Sequence, residues 1–208
     1  MGYQQDRAFT DYIHKNVAIP RLYSQIGWQE LQVQKDQLNG FDVQNGIDYM
    51  FIDQARDVYT VQERFRESKY SNYNDFTIRY RRDGNYHSDR VESEYYKIKA
   101  HFFTYGITNG SKNSPNTCTD FLKVAIINLD RIYELITDGK IVIKDNGEKT
   151  CYTLNTTFVC PVCYNRDGSS SFVPFDIPLL CELFGRDVIL YQRGFIPEIV
   201  VMPDELHY

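Results

Sequence analysis

Three β-rich segments stand close together between residues 47 and 81, and they limit the possible folds more than any other feature. Residues 47–53, 58–66 and 76–81 are dense in Tyr, Phe, Ile, Val and Thr, the types that pack best on a pleated surface. Their texture has a period near two, clearest in the last segment, so side chains fall alternately on two faces. Residues 54–57 leave room only for a tight connection, and a polar link reaches Asp75. Antiparallel strands accept such short links, whereas parallel pairs need a crossover of about a dozen residues or more. A three-stranded antiparallel meander within one sheet is therefore expected.

Helical patterning brackets these strands. Phe9, Tyr12, Ile13 and Val17 recur at intervals of three and four ahead of Pro20, which predicts a helix over 5–17 that the proline ends. Residues 22–37 read as a second short helix or a loop. Further on, residues 93–100 predict a short helix, 101–107 and 121–129 buried strands, and 130–137 an amphipathic helix ending at Gly139. Shorter β segments at 141–143, 151–154 and 158–159, a Ser-rich turn at 169–171 and a helical patch at 179–184 follow. The expected fold is α/β (α+β), a mixed central sheet flanked by helices. Residues 1–140 form its core, and residues 141–208 form a β-rich C-terminal extension packed on that core.

Composition narrows the functional classes. The chain has 208 residues, of which 42% are hydrophobic and 15% aromatic, with 17 Tyr against one Trp. A disordered chain is poor in aromatics, so that class is excluded. The longest apolar runs, such as 124–127 and 199–202, fall far short of the roughly 20 residues a membrane helix needs. The first twenty residues contain acids and lack the apolar stretch of a signal sequence, so a cytoplasmic location without a membrane partner is expected. The net charge of −5 argues against a passive nucleic-acid coat, which is normally basic. A local basic strip is still compatible with DNA contact.

The stretch from Asp48 to Arg66 carries the chemistry. Asp48 sits at the start of one segment, and Gln62, Glu63 and Arg64 lie in the next. Neighbouring strands lie about 4.8 Å apart, so these groups can converge. Metal-dependent phosphodiester hydrolysis needs hard oxygen ligands and a nearby cation, which this set contains. Alternation puts Gln62, Arg64 and Arg66 on one face and Val61, Glu63 and Phe65 on the other. Glu63 thus shares an otherwise apolar face and needs a partner, either a metal or Arg79 on the following strand. The same pattern also fits a solvated sheet edge. As an acid at a strand start, Asp48 is expected to cost the fold little when replaced.

Residues 46–48 (GID), 59–66 (YTVQERFR) and 75–80 (DFTIRY) resemble the PD-(D/E)XK superfamily of restriction endonucleases and repair nucleases. The order of the remaining elements up to residue 140 is similar to that family's αβββαβ core. The resemblance implies a restriction-endonuclease-like core and a Mg²⁺- or Mn²⁺-dependent DNA endonuclease of restriction, repair or mobile-element type. Asp48 would hold the metal, helped by Glu63 or by the Gln62 carbonyl, and Arg64 would stabilise the transition state. DNA is the implied partner, and a homodimer the implied assembly, since cutting two strands takes two sites. This chain departs from the family at the acid–x–Lys motif, which stands here as Gln62–x–Arg64. If Glu63 is the acid instead, Phe65 occupies the lysine position. A guanidinium stays charged and shuttles protons poorly. The alternative implied is a catalytically inactive nuclease-like protein that binds nucleic acid or masks a DNA-processing partner.

Arg64, Arg66, Lys69, Arg79, Arg81 and Arg82 cluster with Tyr70, Tyr73, Tyr80 and Tyr86, a pattern suited to gripping phosphates and stacking on bases. Ion pairs with Glu67, Asp75 and Asp83 would make the same strip an ordinary solvated face. Cys160 and Cys163 have knuckle-like CxxC spacing. Buried thiols are the default reading, because a structural zinc needs two further ligands and the separations of Cys151 and Cys181 match no compact finger. The four histidines form no motif, and His14 reads as a surface or capping residue.

Overall fold

The computed structural model describes residues 3–32, 45–82 and 93–196. Helix α1 (Tyr3–Ile13) continues without interruption as a π-helical segment, His14–Tyr23. Pro20 lies inside that segment and does not end it. The bonds here run from i to i−5, as from Ser24 N–H to Ile19 O at 3.0 Å. This wider turn relieves the clash with the carbonyl at i−4 by which proline breaks an α-helix.

Strands β1 (Gln29–Glu30), β2 (Tyr49–Ile52), β3 (Val58–Arg66), β5 (Phe102–Thr108), β6 (Phe121–Asn128) and β12 (Ile189–Arg193) form a central mixed sheet of six described strands in that order. The neighbours are antiparallel except β3 and β5, which run parallel. The expected meander is therefore corrected. Its third segment, β4 (Asp75–Arg82), leaves this sheet and pairs with β11 (Ser170–Asp176), which also pairs with β10 (Cys163–Tyr164). Burial explains the exchange. Strand β5 is buried along nearly its whole length, as suits an interior strand with a parallel neighbour. Strand β4 buries only alternate residues, Phe76 and Ile78, and so suits a covering layer. Its Phe76 ring lies 5.4 Å from that of Phe103 beneath it.

Two apolar clusters cover the two faces of the central sheet. On one, Phe9, Ile13, Val17 and Leu22 of the N-terminal helical layer pack on Phe51, Val61, Phe65, Val124 and Ile126. On the other, Phe103, Ile107, Ala125 and Ile127 meet β4, β11 and helices α3 (Leu129–Thr137) and α4 (Ile177–Phe184). A short helix, α2 (Glu94–Lys97), precedes β5. Strands β7 (Ile141–Lys144), β8 (Tyr152–Leu154) and β9 (Thr157–Pro161) form a small third sheet. The segment after residue 140 is more than an extension, because β12 completes the central sheet and β11 pairs with β4.

Gly106 of β5 sits where Phe65 and Phe121 close over the sheet, with their rings 5.4 Å apart. A Cβ at this position would stand 2.6 Å from the Phe121 ring and 3.1 Å from that of Phe65. Gly106→Ala is expected to lower unfolding stability by about 1–3 kcal/mol through overpacking, read as a reduced urea midpoint with an unchanged slope.

Candidate active site

Strand β3 carries two different polar groups, one on each face. On the face toward the N-terminal helical layer, Glu63 is buried. His14 Nδ1 lies 3.0 Å from each Glu63 carboxylate oxygen, and the Tyr23 hydroxyl donates to Oε1 at 2.6 Å. The same phenolic oxygen shares a 2.9 Å hydrogen bond with Thr104 Oγ1. Tyr49 stacks on the imidazole with centroids 3.4 Å apart and planes 1° from parallel. Burial works against the imidazolium, but Glu63 and then Glu30 outweigh it and hold the His14 pKa above its ordinary range. Burial, reinforced by Glu63, pushes the hydroxyls of Tyr23 and Tyr49 up, so both stay protonated donors. The partner of Glu63 is thus His14 rather than Arg79, which lies on β4 in the other sheet.

Asp48 closes the β2–β3 ladder. Its backbone N–H donates to Val61 O at 2.9 Å, and its Oδ2 accepts the Glu63 N–H at 2.8 Å, standing in for a strand carbonyl. Arg7 of α1 donates to Oδ1 at 3.0 Å. Asp48 is 6% exposed, so the expectation that replacing it costs little is corrected: its removal strips a buried N–H of its acceptor.

The opposite face of β3 presents Gln62, Arg64 and Arg66. The Gln62 Oε1 atom is buried and has no hydrogen-bond partner among the described residues. It packs on Gly46, where a Cβ would come within 2.7 Å of it. The positive φ of Gly46, 59°, also favours glycine there. Arg64 is held at both ends of its fork, by Thr77 O at 2.5 Å and by Glu94 Oε1 at 2.5 Å. Burial opposes the Arg64 charge, but Glu94 outweighs it and raises the pKa; burial likewise pushes Glu94 up, and Arg64 overrides it to hold Glu94 low. Asp48 adds to the field at Arg64.

The basic strip divides. Arg66 lies 5.3 Å and Lys69 5.2 Å over the Tyr70 ring, and Lys69 also pairs with Glu67. Arg79 is exposed on β4, with its backbone N–H donating to Glu94, and Arg81 is half-buried on the same strand. The Arg82 side chain, Asp83 and Tyr86 lie outside the described residues. Cys160 is buried, and Cys163 is half-buried on β10. Burial, with Cys151 beside them, pushes both thiols up. Among the described residues no three His, Cys, Asp or Glu side chains gather as a metal-holding group. No described helix is long and apolar enough to cross a membrane. Compared with protein-family models, curated proteins and solved structures, the chain matches none.

His14, expected at the surface or as a cap, is instead buried against Glu63, and sequence reasoning missed Tyr23, Arg7 and Glu94. His14 and Tyr23 are nine positions apart, which on an α-helix of about 100° per residue places them on opposite sides. The π turn brings both to Glu63, with ring centroids 6.3 Å apart.

The raised His14 pKa links stability to pH. Its contribution is complete below the unfolded value near 6.5 and is lost as pH rises through the higher folded value. Urea unfolding of the parent is expected to show stability falling over that alkaline window. In Glu63→Gln the dependence should flatten, with a loss of about 3 kcal/mol at pH 6 from breaking the buried pair.

Proposed function

We propose that the chain is a divalent-metal-dependent DNA endonuclease whose reactive group is Asp48, Gln62 and Arg64 at the β2–β3 step. The observation that carries this reading is the buried carbonyl oxygen of Gln62, which has no hydrogen-bond partner among the described residues and packs on Gly46, two positions before the buried carboxylate of Asp48. An orphaned buried acceptor in a native fold points to an ion or water that completes it. Carboxylate and amide oxygens suit Mg²⁺ or Mn²⁺, which often takes only one or two protein ligands and fills its shell with water and substrate phosphate. When bound, such an ion polarises the scissile phosphate as a Lewis acid. Glu63 is not needed as a ligand, since both of its oxygens face His14.

The other groups have roles their own chemistry allows. Arg64 brings a fixed positive charge for the developing phosphorane. Glu94 and the Thr77 carbonyl hold its fork in one orientation, so Glu94 is a positioning residue. Arg66, Lys69 and Arg79 would contact phosphates, with Tyr70 supporting the first two. The element order also supports the PD-(D/E)XK reading: helix α1, antiparallel β1–β2–β3, then a crossover to β5 parallel to β3. That order places Gln29–Glu30, and not residues 76–81, as a strand of the meander.

A second reading, the catalytically inactive nucleic-acid-binding relative, is favoured by one observation. Asp48 pairs with Arg7, and the arginine that replaces the family lysine is committed to Glu94.

Cleavage of single- and double-stranded DNA with Mg²⁺ or Mn²⁺ tests the two. Asp48→Asn keeps an acceptor for the Glu63 N–H and is expected to cut the rate by about 10²-fold or more while leaving the fold and DNA affinity in place. Arg64→Lys should retain or raise activity. DNA binding without cleavage, in the parent and in Arg64→Lys alike, would instead establish the inactive relative.

A further inference from the structure

We infer that a cavity between the β4–β11 layer and residues 143–164 is a binding site for a single nucleobase of guanine type. The cavity measures about 190 Å³ and is lined by Tyr80 and Arg81 of β4, Ser171 of β11, Ile143 of β7, and Asp145 and Tyr164. Ser171 is 1% exposed, and its hydroxyl has no hydrogen-bond partner among the described residues although the residue lines this space. Fully buried hydroxyls are normally bonded, so this one lacks a partner that a group outside the chain could supply. The backbone is irregular at the same place. Ser171 stands opposite Arg81, and the register slips between Ser171 and Phe172. Bulges of this kind redirect side chains and are frequent beside functional sites.

The chemistry of the lining selects the ligand. Arg81 offers donors only, and Asp145 offers acceptors, with its Oδ2 taking the Tyr164 hydroxyl at 2.5 Å. A bare phosphate would set its charge beside Asp145, and a cation would face Arg81. A neutral heterocycle with one acceptor edge and one donor edge matches the chemistry of both groups. Tyr80 and Tyr164 provide the aromatic surface on which such a ring stacks. Guanine carries O6 and N7 acceptors suited to arginine and N–H donors on its other edge suited to a carboxylate. The buried Ser171 hydroxyl can donate or accept. Asp145 and Tyr164 are exposed, so the site opens to solvent. Asp48, Gln62 and Arg64 are not among its lining residues, and it stands whether or not the chain cleaves DNA.

A guanine base can arrive as a free nucleotide or as an unpaired base in a strand. Titration calorimetry in EDTA, with guanosine monophosphate, adenosine monophosphate and short single-stranded oligonucleotides with or without one guanine, separates these sources and excludes any metal-dependent step. The guanine ligands are expected to bind about tenfold or more tightly than their adenine counterparts. Asp145→Asn, an exposed and fold-neutral change, should erase that preference, and Ser171→Ala should weaken guanine binding several-fold. Binding only of the guanine oligonucleotide, lost in Asp145→Asn, supports the site and assigns the base to a strand. Absence of saturable guanine binding in both forms, or an unchanged preference in Asp145→Asn, overturns the proposal.

Discussion

A carboxylate buried in the middle of a sheet has to be neutralised, and the way Glu63 is neutralised organises the N-terminal half of this protein. Its side chain lies between Val61 and Phe65 on the face covered by the first helical layer. An isolated charge there would cost far more than the few kcal/mol by which a domain is stable. His14 and Tyr23 both reach it, and they do so because the helix widens into a π turn between them. The π segment is thus the geometric solution to one buried acid. Its wider spacing also lets Pro20 stay within the helix.

The same strand presents different polar groups on its two faces. With Glu63 committed to His14, the alternate residues Gln62 and Arg64 are directed to the other face, where Glu94 and Thr77 meet the guanidinium. Asp48 joins the two sides, since it accepts the backbone N–H of Glu63 and lies within the field of Arg64. A change at Asp48 therefore acts on the β2–β3 ladder as well as on any chemistry beside it. The amide variant separates these effects, because it keeps the acceptor while losing the charge.

Much of the fold was legible in the sequence. The texture of 58–66, the β-like run at 101–107 and the amphipathic stretch at 130–137 became β3, β5 and α3. The assignment of β4 to the meander failed because period-two patterning states that one face is buried without saying against which sheet. The almost wholly buried β5 was the better neighbour for β3. The pairing of His14 with Tyr23 was hidden because α-helical periodicity puts them on opposite sides. Glu94 was hidden because thirty residues separate it from Arg64 in the chain, and only the approach of β4 and α2 brings them together. The candidate site was half legible: Asp48, Gln62 and Arg64 stood out by spacing, whereas the groups that hold them did not.

The central claim is the proposal that the Gln62 face of β3 binds a divalent cation, while Glu63 on its other face is closed in an ion pair with His14. Paramagnetic broadening by substoichiometric Mn²⁺, followed in amide and imidazole NMR spectra, reads the two faces in one experiment. The account predicts that the Gln62 side-chain amide and the backbone signals around Asp48 broaden first, and that the broadening is centred there rather than on His14. Broadening centred on the His14 imidazole, or none near either residue, would contradict it.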